Sequence, residues 1–338
     1  MRTEELKRIK KERKLDLVVV MGPQNIRALT GIELDRGVLT EKVLYTDFRY
    51  MPAVHRIAPG LKTADIKRFR PRGKRIGCEY SMPHDTFLKL RKRANGATLV
   101  DISDDLKAVR MVKTPEEIEK LRAAELLTCR IWRDASAKFK AGMTERQMAA
   151  EIRKLMVVRG DGEAFETIVC VGRNAAECHH VPDDTVWNGR DPVLVDMGVK
   201  LNGYCSDLTR NLVPEGSRPS RLYRRIYNIV LKANLAAIAA VRPGMTGRAL
   251  DRVARNVIAK EGFGKCFGHS LGHGVGLDVH EEPSVSKKGD TVLKPGMLLT
   301  IEPGIYLEGN LGVRIEDLVL VTETGCEVLS PAPKDILP

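Results

Sequence analysis

The sequence of 338 residues predicts two domains that both mix helices and strands, an α/β domain over residues 1–112 and an α+β domain over residues 113–338. Strands alternate with helices through the first third of the chain. Residues 1–112 hold 25 Lys and Arg against 14 Asp and Glu, a formal charge of +11 out of the total of +12. The rest of the chain is therefore nearly neutral, and the drop in basic residues marks the domain boundary. In the second domain, helices are followed by strands that carry acidic residues.

The first domain has the pattern of a partly parallel sheet covered by helices. The predicted elements are helices at 4–14, from Asn25 and near 85–93, and strands at 15–21, 38–46, 74–78 and 97–101. Its basic runs permit a nucleic-acid or acidic partner. A solvated surface is the favoured interpretation, since few aromatic residues interrupt those runs and no binding motif accompanies them.

Helix starts in the second domain are marked by capping boxes. Thr114 precedes Pro115 and is followed by Glu117 three positions on, and Thr144 stands in the same relation to Gln147. These signals predict helices from 115 to about 139 and from 145 to about 160. Two more helices are predicted at 220–241 and 247–260, with strands at 167–171, 298–303 and 313–321.

The segment VLVDMGVKLNGYCSDLTR, residues 193–210, predicts a β-hairpin with Asn202-Gly203 at its turn. Asp196 and Asp207 are 11 residues apart, which makes them diagonal neighbours on one face of the hairpin. Two carboxylates in one half-buried place repel each other and call for a shared proton or bound cations. Taken alone, two solvated aspartates beside a turn are the better explanation of the pattern.

Three later residues extend this pair into a candidate metal site. His273 lies among glycines, Glu302 ends an apolar strand before Pro303, and Glu316 precedes the apolar run 318–321. For any one acid, pairing with Arg210 or Arg314 is favoured over metal binding. Four embedded acids that converge need more neutralisation than two arginines supply, whereas two divalent cations would provide it. Oxygen ligands with one imidazole suit Mn²⁺, Co²⁺, Fe²⁺ or Zn²⁺.

These segments resemble the pita-bread metallopeptidases, specifically the Xaa-Pro branch that contains prolidase (Xaa-Pro dipeptidase) and Xaa-Pro aminopeptidase. The matching stretches occur in order: VDMGVKLNGYCSDLTR, GHGVGLDVHEEP, LTIEPGIYL and GVRIEDLVLVTETG. With NIRALTG and TDFRY near the start, the likeness covers nearly the whole chain. It implies a C-terminal pita-bread (creatinase/aminopeptidase) fold preceded by a smaller creatinase-like α/β domain.

The resemblance also implies a mechanism and its residues. Asp196, Asp207, His273, Glu302 and Glu316 would hold two divalent metal ions, with manganese among the candidates. A bridging hydroxide would attack the bond before a proline, and Glu302 would move its proton. His179 and His280 would act as catalytic residues near the bound peptide. His269 and Arg314 would contact substrate or hold the site together.

Some positions depart from the family pattern, and other functions stay open. Cys178 stands where proline is common and His180 where glycine is common, and His180 is easily confused with His179. The alternatives are a methionine aminopeptidase-like exopeptidase, which normally lacks such a first domain, and a non-catalytic pita-bread protein that binds nucleic acid or protein. The presence of all five ligands disfavours the second alternative.

Composition favours a cytoplasmic protein that does not enter membranes. The seven cysteines are odd in number and form no C-x-x-C pair, which predicts reduced thiols rather than disulfides. No apolar run approaches the ~20 residues that span a bilayer. The family resemblance adds the expectation of a homodimer, and the arguments above disfavour nucleic acid as a partner.

Overall fold

A computed structural model describes residues 1–334 and separates the chain into two compact units, Met1–Arg110 and Met111–Pro338. Each unit combines helices with sheets, so the mixed fold class predicted from the sequence is confirmed. All seven cysteines are free thiols, as expected. Among the described residues, no helix is both long and apolar enough to cross a membrane.

The first unit is built on two small sheets. Its helices are α1 (Glu4–Glu12), α2 (Pro23–Thr30), α3 (Met51–Ile57), α4 (His84–Arg93) and α5 (Ser103–Met111). Its strands are β1 (Leu17–Val19), β2 (Val38–Leu39), β3 (Leu44–Thr46), β4 (Thr63–Asp65), β5 (Arg75–Cys78) and β6 (Thr98–Asp101). β1, β5 and β6 form the expected parallel sheet, and β2, β3 and β4 form the other. The sequence reasoning missed α3, β4 and α5; α3 buries only Val54, which leaves almost no periodic apolar signal.

The second unit has four long helices and many short strands within its described part. The helices are α6 (Pro115–Ser136), α7 (Glu145–Arg159), α8 (Arg221–Ala240) and α9 (Gly247–Lys260). The first group of strands is β7 (Gly162–Glu163), β8 (Ile168–Val171), β9 (Val193–Met197), β10 (Val199–Leu201), β11 (Tyr204–Cys205) and β12 (Leu208–Leu212). The second group is β13 (Gly272–Gly274), β14 (Glu281–Val285), β15 (Leu298–Ile301), β16 (Gly304–Leu307), β17 (Leu311–Arg314), β18 (Asp317–Val321) and β19 (Cys326–Val328).

Both predicted capping boxes are present. The Thr114 hydroxyl accepts from the Glu117 backbone N–H at 3.3 Å, and the Glu117 carboxylate accepts from the Thr114 N–H at 2.8 Å. Thr144 and Gln147 make the same reciprocal pair at 3.2 and 2.9 Å. These bonds satisfy N–H groups that have no partner inside the helix, so α6 and α7 begin where the sequence predicts.

The aspartate hairpin also has the predicted register. β9 pairs with β12 so that Asp196 faces Thr209, which makes Asp207 its diagonal neighbour, as expected. Asn202 and Gly203 have φ values of 51° and 76°, as a two-residue turn of this kind requires. Gly198 interrupts the ladder where a side chain would meet the backbone of Ser206.

Each half of the second unit packs two helices against a sheet. α6 and α7 share an apolar core with β8 and β9, and α8 and α9 share another with β15 and β18. β15 lies within the sheet of order β14-β13-β15-β18-β19. Both sheets carry predicted ligands, so packing the two cores fixes the positions of side chains that lie far apart in sequence.

A backbone contact joins two further pieces of this unit. Gly312, in β17, lies against the short helical turn Gly172–Ala176, and a Cβ at position 312 would come within 1.7 Å of the Ala175 carbonyl oxygen. Only glycine fits there, because nothing but a hydrogen atom separates the two main chains.

Candidate metal centre

The five predicted metal ligands converge on one cavity of about 490 Å³. Asp196 lies in β9, Asp207 just before β12, His273 in β13, Glu302 directly after β15, and Glu316 between β17 and β18. One ligand atom from each of Asp207, His273 and Glu316 lies within 4.8 Å of the other two. These five side chains therefore come together although 120 residues separate the first from the last.

The His273 ring is oriented as a metal ligand would be. Its Nδ1 lies 3.2 Å from the Gly274 carbonyl oxygen, so in the neutral ring that binds a metal the proton belongs on Nδ1 and the lone pair on Nε2. Nε2 lies 3.3 Å from Glu302 Oε1 and 3.6 Å from Asp207 Oδ2. Burial lowers the pKa of His273, but the adjacent Glu302 carboxylate outweighs it, and the net shift is upward.

The four carboxylates repel one another in this buried site. Burial, together with the charges of neighbouring acids, raises the pKa values of Asp207 and Glu316 well above their ordinary range. Burial also raises the pKa of Asp196, although Arg314 opposes the shift. Burial acts in the same direction on Glu302, but His273, His269 and Arg314 together outweigh it and lower the pKa of that carboxyl. Bound cations would relieve this repulsion.

Arginine pairing accounts for only one of the four acids. Arg314 Nη2 lies 2.7 Å from Asp196 Oδ2, whereas Arg210 turns away to Asp317 Oδ1 at 2.8 Å. Within residues 1–334, no arginine forms an ion pair with Asp207, Glu302 or Glu316. Asp196 Oδ1 is buried and has no hydrogen-bond partner in that range. An unsatisfied buried oxygen beside a set of oxygen donors and one imidazole fits divalent cations.

Two threonines that the sequence reasoning missed support the ligands. The Thr209 hydroxyl donates to Glu316 Oε2 at 2.8 Å and accepts from Arg314 Nε at 3.0 Å. The Thr300 hydroxyl donates to Glu302 Oε1 at 3.2 Å and accepts from the His273 N–H at 3.1 Å. Thr209 could have been predicted from the hairpin register, because it faces Asp196 across the hairpin.

Tyr306 was also missed, and it joins the two residues predicted to contact substrate. Its hydroxyl lies 2.8 Å from Arg314 Nη1 and 2.9 Å from His269 Nε2. His269 Nδ1 lies 2.8 Å from the Ser270 carbonyl oxygen, so both ring nitrogens of His269 have partners. Burial lowers the pKa of His269, which keeps its ring neutral. Arg314 is almost fully buried, and each of its guanidinium nitrogens is bonded.

The remaining predicted residues lie at the open side of the cavity. His179 and His280 both line it, and both are exposed. The His280 ring stands edge-on to His273 with 4.3 Å between centroids, and its pKa is lowered by burial and by His273. His180, by contrast, is buried with Nε2 at 2.7 Å from Glu145 Oε2. The two adjacent histidines are thus in different environments.

A second group of possible ligands, Glu145, His180 and Asp183, is a poor metal site. The Glu145 carboxylate already accepts from two backbone N–H groups and two side chains. The lone pairs that a cation needs are therefore occupied.

Comparison with known proteins agrees with the fold. Residues 119–323 match metallopeptidase family M24, and residues 2–112 match the creatinase/prolidase N-terminal domain. A Xaa-Pro dipeptidase of Pyrococcus furiosus is 36% identical over 347 residues, 99% of each chain. The crystal structure of a prolidase from Pyrococcus horikoshii superposes with a TM-score of 0.94 at 32% identity, covering 99% of each chain. An X-Pro aminopeptidase structure from Thermotoga maritima gives 0.86 at 30% identity, covering 96% of this chain and 99% of that one.

Proposed function

The chain belongs to metallopeptidase family M24, and we propose that it is a metal-dependent exopeptidase that hydrolyses Xaa-Pro dipeptides with two divalent cations bound. One observation carries the proposal: four carboxylates and one imidazole converge on one cavity, and within residues 1–334 arginine forms an ion pair with only one of these acids. The relatives with that activity supply the substrate class. The match of residues 2–112 favours the Xaa-Pro branch over a methionine aminopeptidase.

Asp196, Asp207, His273, Glu302 and Glu316 would hold the cations, as the sequence predicts. When bound, the cations would lower the pKa of a coordinated water and polarise the scissile carbonyl. Glu302 is the residue that would take a proton from the attacking water and return it to the proline nitrogen. Its Oε1 is kept in place by Thr300 and lies 3.3 Å from His273 Nε2.

His280 and His179 would stabilise negative charge on the carbonyl oxygen during attack. Both rings are exposed to the cavity, which leaves them free to meet a peptide. His269 and Arg314 fit a supporting role better than direct contact with substrate, because their polar atoms are already bonded within the site. Apolar side chains of Phe165, Val181 and Val279 line the same cavity and would face the substrate's side chains.

The test is metal-dependent cleavage by the purified chain. After chelation, we expect no hydrolysis of Xaa-Pro dipeptides, with activity restored by Mn²⁺, Co²⁺, Fe²⁺ or Zn²⁺ added singly. Glu302→Gln should lower kcat by about 10³-fold or more, because it removes the group that moves the proton. Glu308→Gln, at an exposed position, is the matched control and should retain activity. Full activity in Glu302→Gln, or in excess chelator, would refute the proposal.

Further properties stay predictions with their own measurements. A length series from Xaa-Pro dipeptides to longer peptides separates dipeptidase from aminopeptidase action. Metal analysis of protein purified without added metal tests manganese, and light scattering tests the homodimer. A cytoplasmic location is tested by fractionation. A gel-shift assay with the full chain tests the basic residues 1–112 against nucleic acid.

A further inference from the structure

A buried carboxylate that is not among the proposed ligands organises a segment of which the proposed chemistry uses only His179. Glu145 is the first residue of α7, and its side chain is fully buried. Oε1 accepts from the Val171 N–H at 2.6 Å and from Asn174 Nδ2 at 2.9 Å. Oε2 accepts from His180 Nε2 at 2.7 Å and from the Asp183 N–H at 3.1 Å.

These four donors come from both ends of one segment, residues 171–183. The stretch between them carries His179 and also lends Cys178, Val181 and Pro182 to the cavity wall. The Cys178 carbonyl oxygen accepts from Arg314 Nη1 at 3.4 Å, which ties the same stretch to the metal centre. Holding both ends on one carboxylate fixes how the stretch lies against the cavity.

We propose that His180 is a positioning residue: its bond to Glu145 holds residues 178–182 so that the His179 side chain faces the metal centre. The proposal rests on the proposed function, because His180 acts on the reaction only through His179. The cavity's other histidines lack this arrangement. His179 and His280 are exposed, and His269 and His273 bond to backbone carbonyls.

The surroundings of His180 also make its contribution depend on pH. Glu145 faces it from α7, Glu177 Oε2 lies 3.4 Å from Nδ1, and Asp183 adds a further negative charge from the same segment. Burial lowers the pKa of His180, but these acids outweigh it and the net shift is upward. The charged ring bonds Glu145 and Glu177 together below that pKa. As pH rises through it, the Glu177 contact and the charge are lost.

Hydrogen–deuterium exchange and kinetics on the metal-loaded full chain test the proposal, using His180→Ala and His180→Gln. In His180→Ala, we expect exchange in peptides covering 172–185 to rise about tenfold and kcat/KM for a Xaa-Pro dipeptide to fall about tenfold, while α8 exchanges as in the wild type. His180→Gln keeps an N–H donor for Glu145 and should restore both readouts to within about threefold. Because glutamine does not titrate, the ratio of wild-type to His180→Gln kcat/KM should fall as pH rises through the raised pKa of His180.

Three outcomes would overturn the positioning role. The first is unchanged exchange over 172–185 in His180→Ala, and the second is faster exchange with kcat/KM unaltered. The third is a folded His180→Gln whose kcat/KM falls about tenfold or more although its amide still donates to Glu145, which decides the matter even if His180→Ala fails to fold. A pH-independent ratio between wild type and His180→Gln would refute the pH dependence instead. A wild-type chain that leaves Xaa-Pro dipeptides intact refutes the proposed function instead, while the exchange data still report on the segment.

Discussion

Replacing Glu316 by glutamine should stabilise the metal-free protein and remove most of its stabilisation by metal. Glu316 and Asp207 have carboxylate oxygens no more than 4.8 Å apart, and both pKa values are raised by burial and by neighbouring acids. At an effective dielectric constant of about 20, two unit charges at that distance repel by about 3.5 kcal/mol. Partial protonation relieves some of this repulsion, so Glu316→Gln should raise the free energy of unfolding of the metal-free protein by about 1–3 kcal/mol. The glutamine carbonyl can still accept from the Thr209 hydroxyl.

The linked pH dependence has a definite sign. Because the folded-state pKa values of Asp207 and Glu316 lie above their ordinary values, the folded metal-free protein binds protons more tightly than the unfolded chain. Its stability should therefore fall as pH rises from the ordinary carboxyl range, around pH 4–5, through the raised values. Glu316→Gln should flatten this slope, since one of the two titrating carboxyls is gone.

Thermal unfolding in chelator and in excess Mn²⁺ measures both effects. For a unit of this size about 1 kcal/mol shifts Tm by 2–4 °C, so Glu316→Gln should raise the chelated Tm by roughly 2–12 °C. Metal at 100 times its Kd should stabilise the wild type by about 2.7 kcal/mol per site, and the variant should lose most of that gain. Glu145→Gln is the matched control. Loss of this fully bonded carboxylate should lower the free energy of unfolding by about 1–3 kcal/mol, equally with and without metal. A chelated Glu316→Gln less stable than wild type would refute the reasoning.

Two other substitutions test contacts around the centre. Lys113→Met leaves the nearly buried Glu281 carboxylate without its ammonium partner, so the free energy of unfolding should drop by about 3–5 kcal/mol; adding Glu281→Leu should recover much of this in urea titrations. Equal free energies of unfolding for the single and the double variant would show that the unpaired Glu281 carboxylate does not cause the loss of stability. Tyr306→Phe removes the hydroxyl between Arg314 and His269 and should lower kcat/KM about tenfold with metal content unchanged, as metal analysis would check. Wild-type kinetics in this variant would contradict a supporting role for that hydroxyl.

The sequence was most informative where local chemistry dictates local structure. The capping boxes at Thr114 and Thr144 and the turn at Asn202-Gly203 depend on residues within a few positions, and all three are present. The diagonal relation of Asp196 and Asp207 followed from that turn, because a two-residue loop fixes the register of the whole hairpin.

The supporting contacts could not be predicted, because they join residues far apart in sequence. Thr209 reaches Glu316 across 107 positions, and nothing in either neighbourhood points to the other. The sequence offered Arg210 and Arg314 equally as partners for the acids, and packing of the sheets directs Arg210 to Asp317 instead. The short helix α3 was missed for a different reason: it buries one side chain and leaves no pattern.

The contact between Gly312 and Ala175 limits which positions can be varied if the substrate range is to be engineered. Main chain touches main chain there, so any side chain at position 312 would push the turn Gly172–Ala176 away. That turn lies in the segment 171–183 that carries His179, so a substitution at position 312 should disturb the cavity wall from outside it. Libraries aimed at bulkier peptides should keep Gly312 and vary Phe165, Val181 and Val279, whose side chains border the cavity.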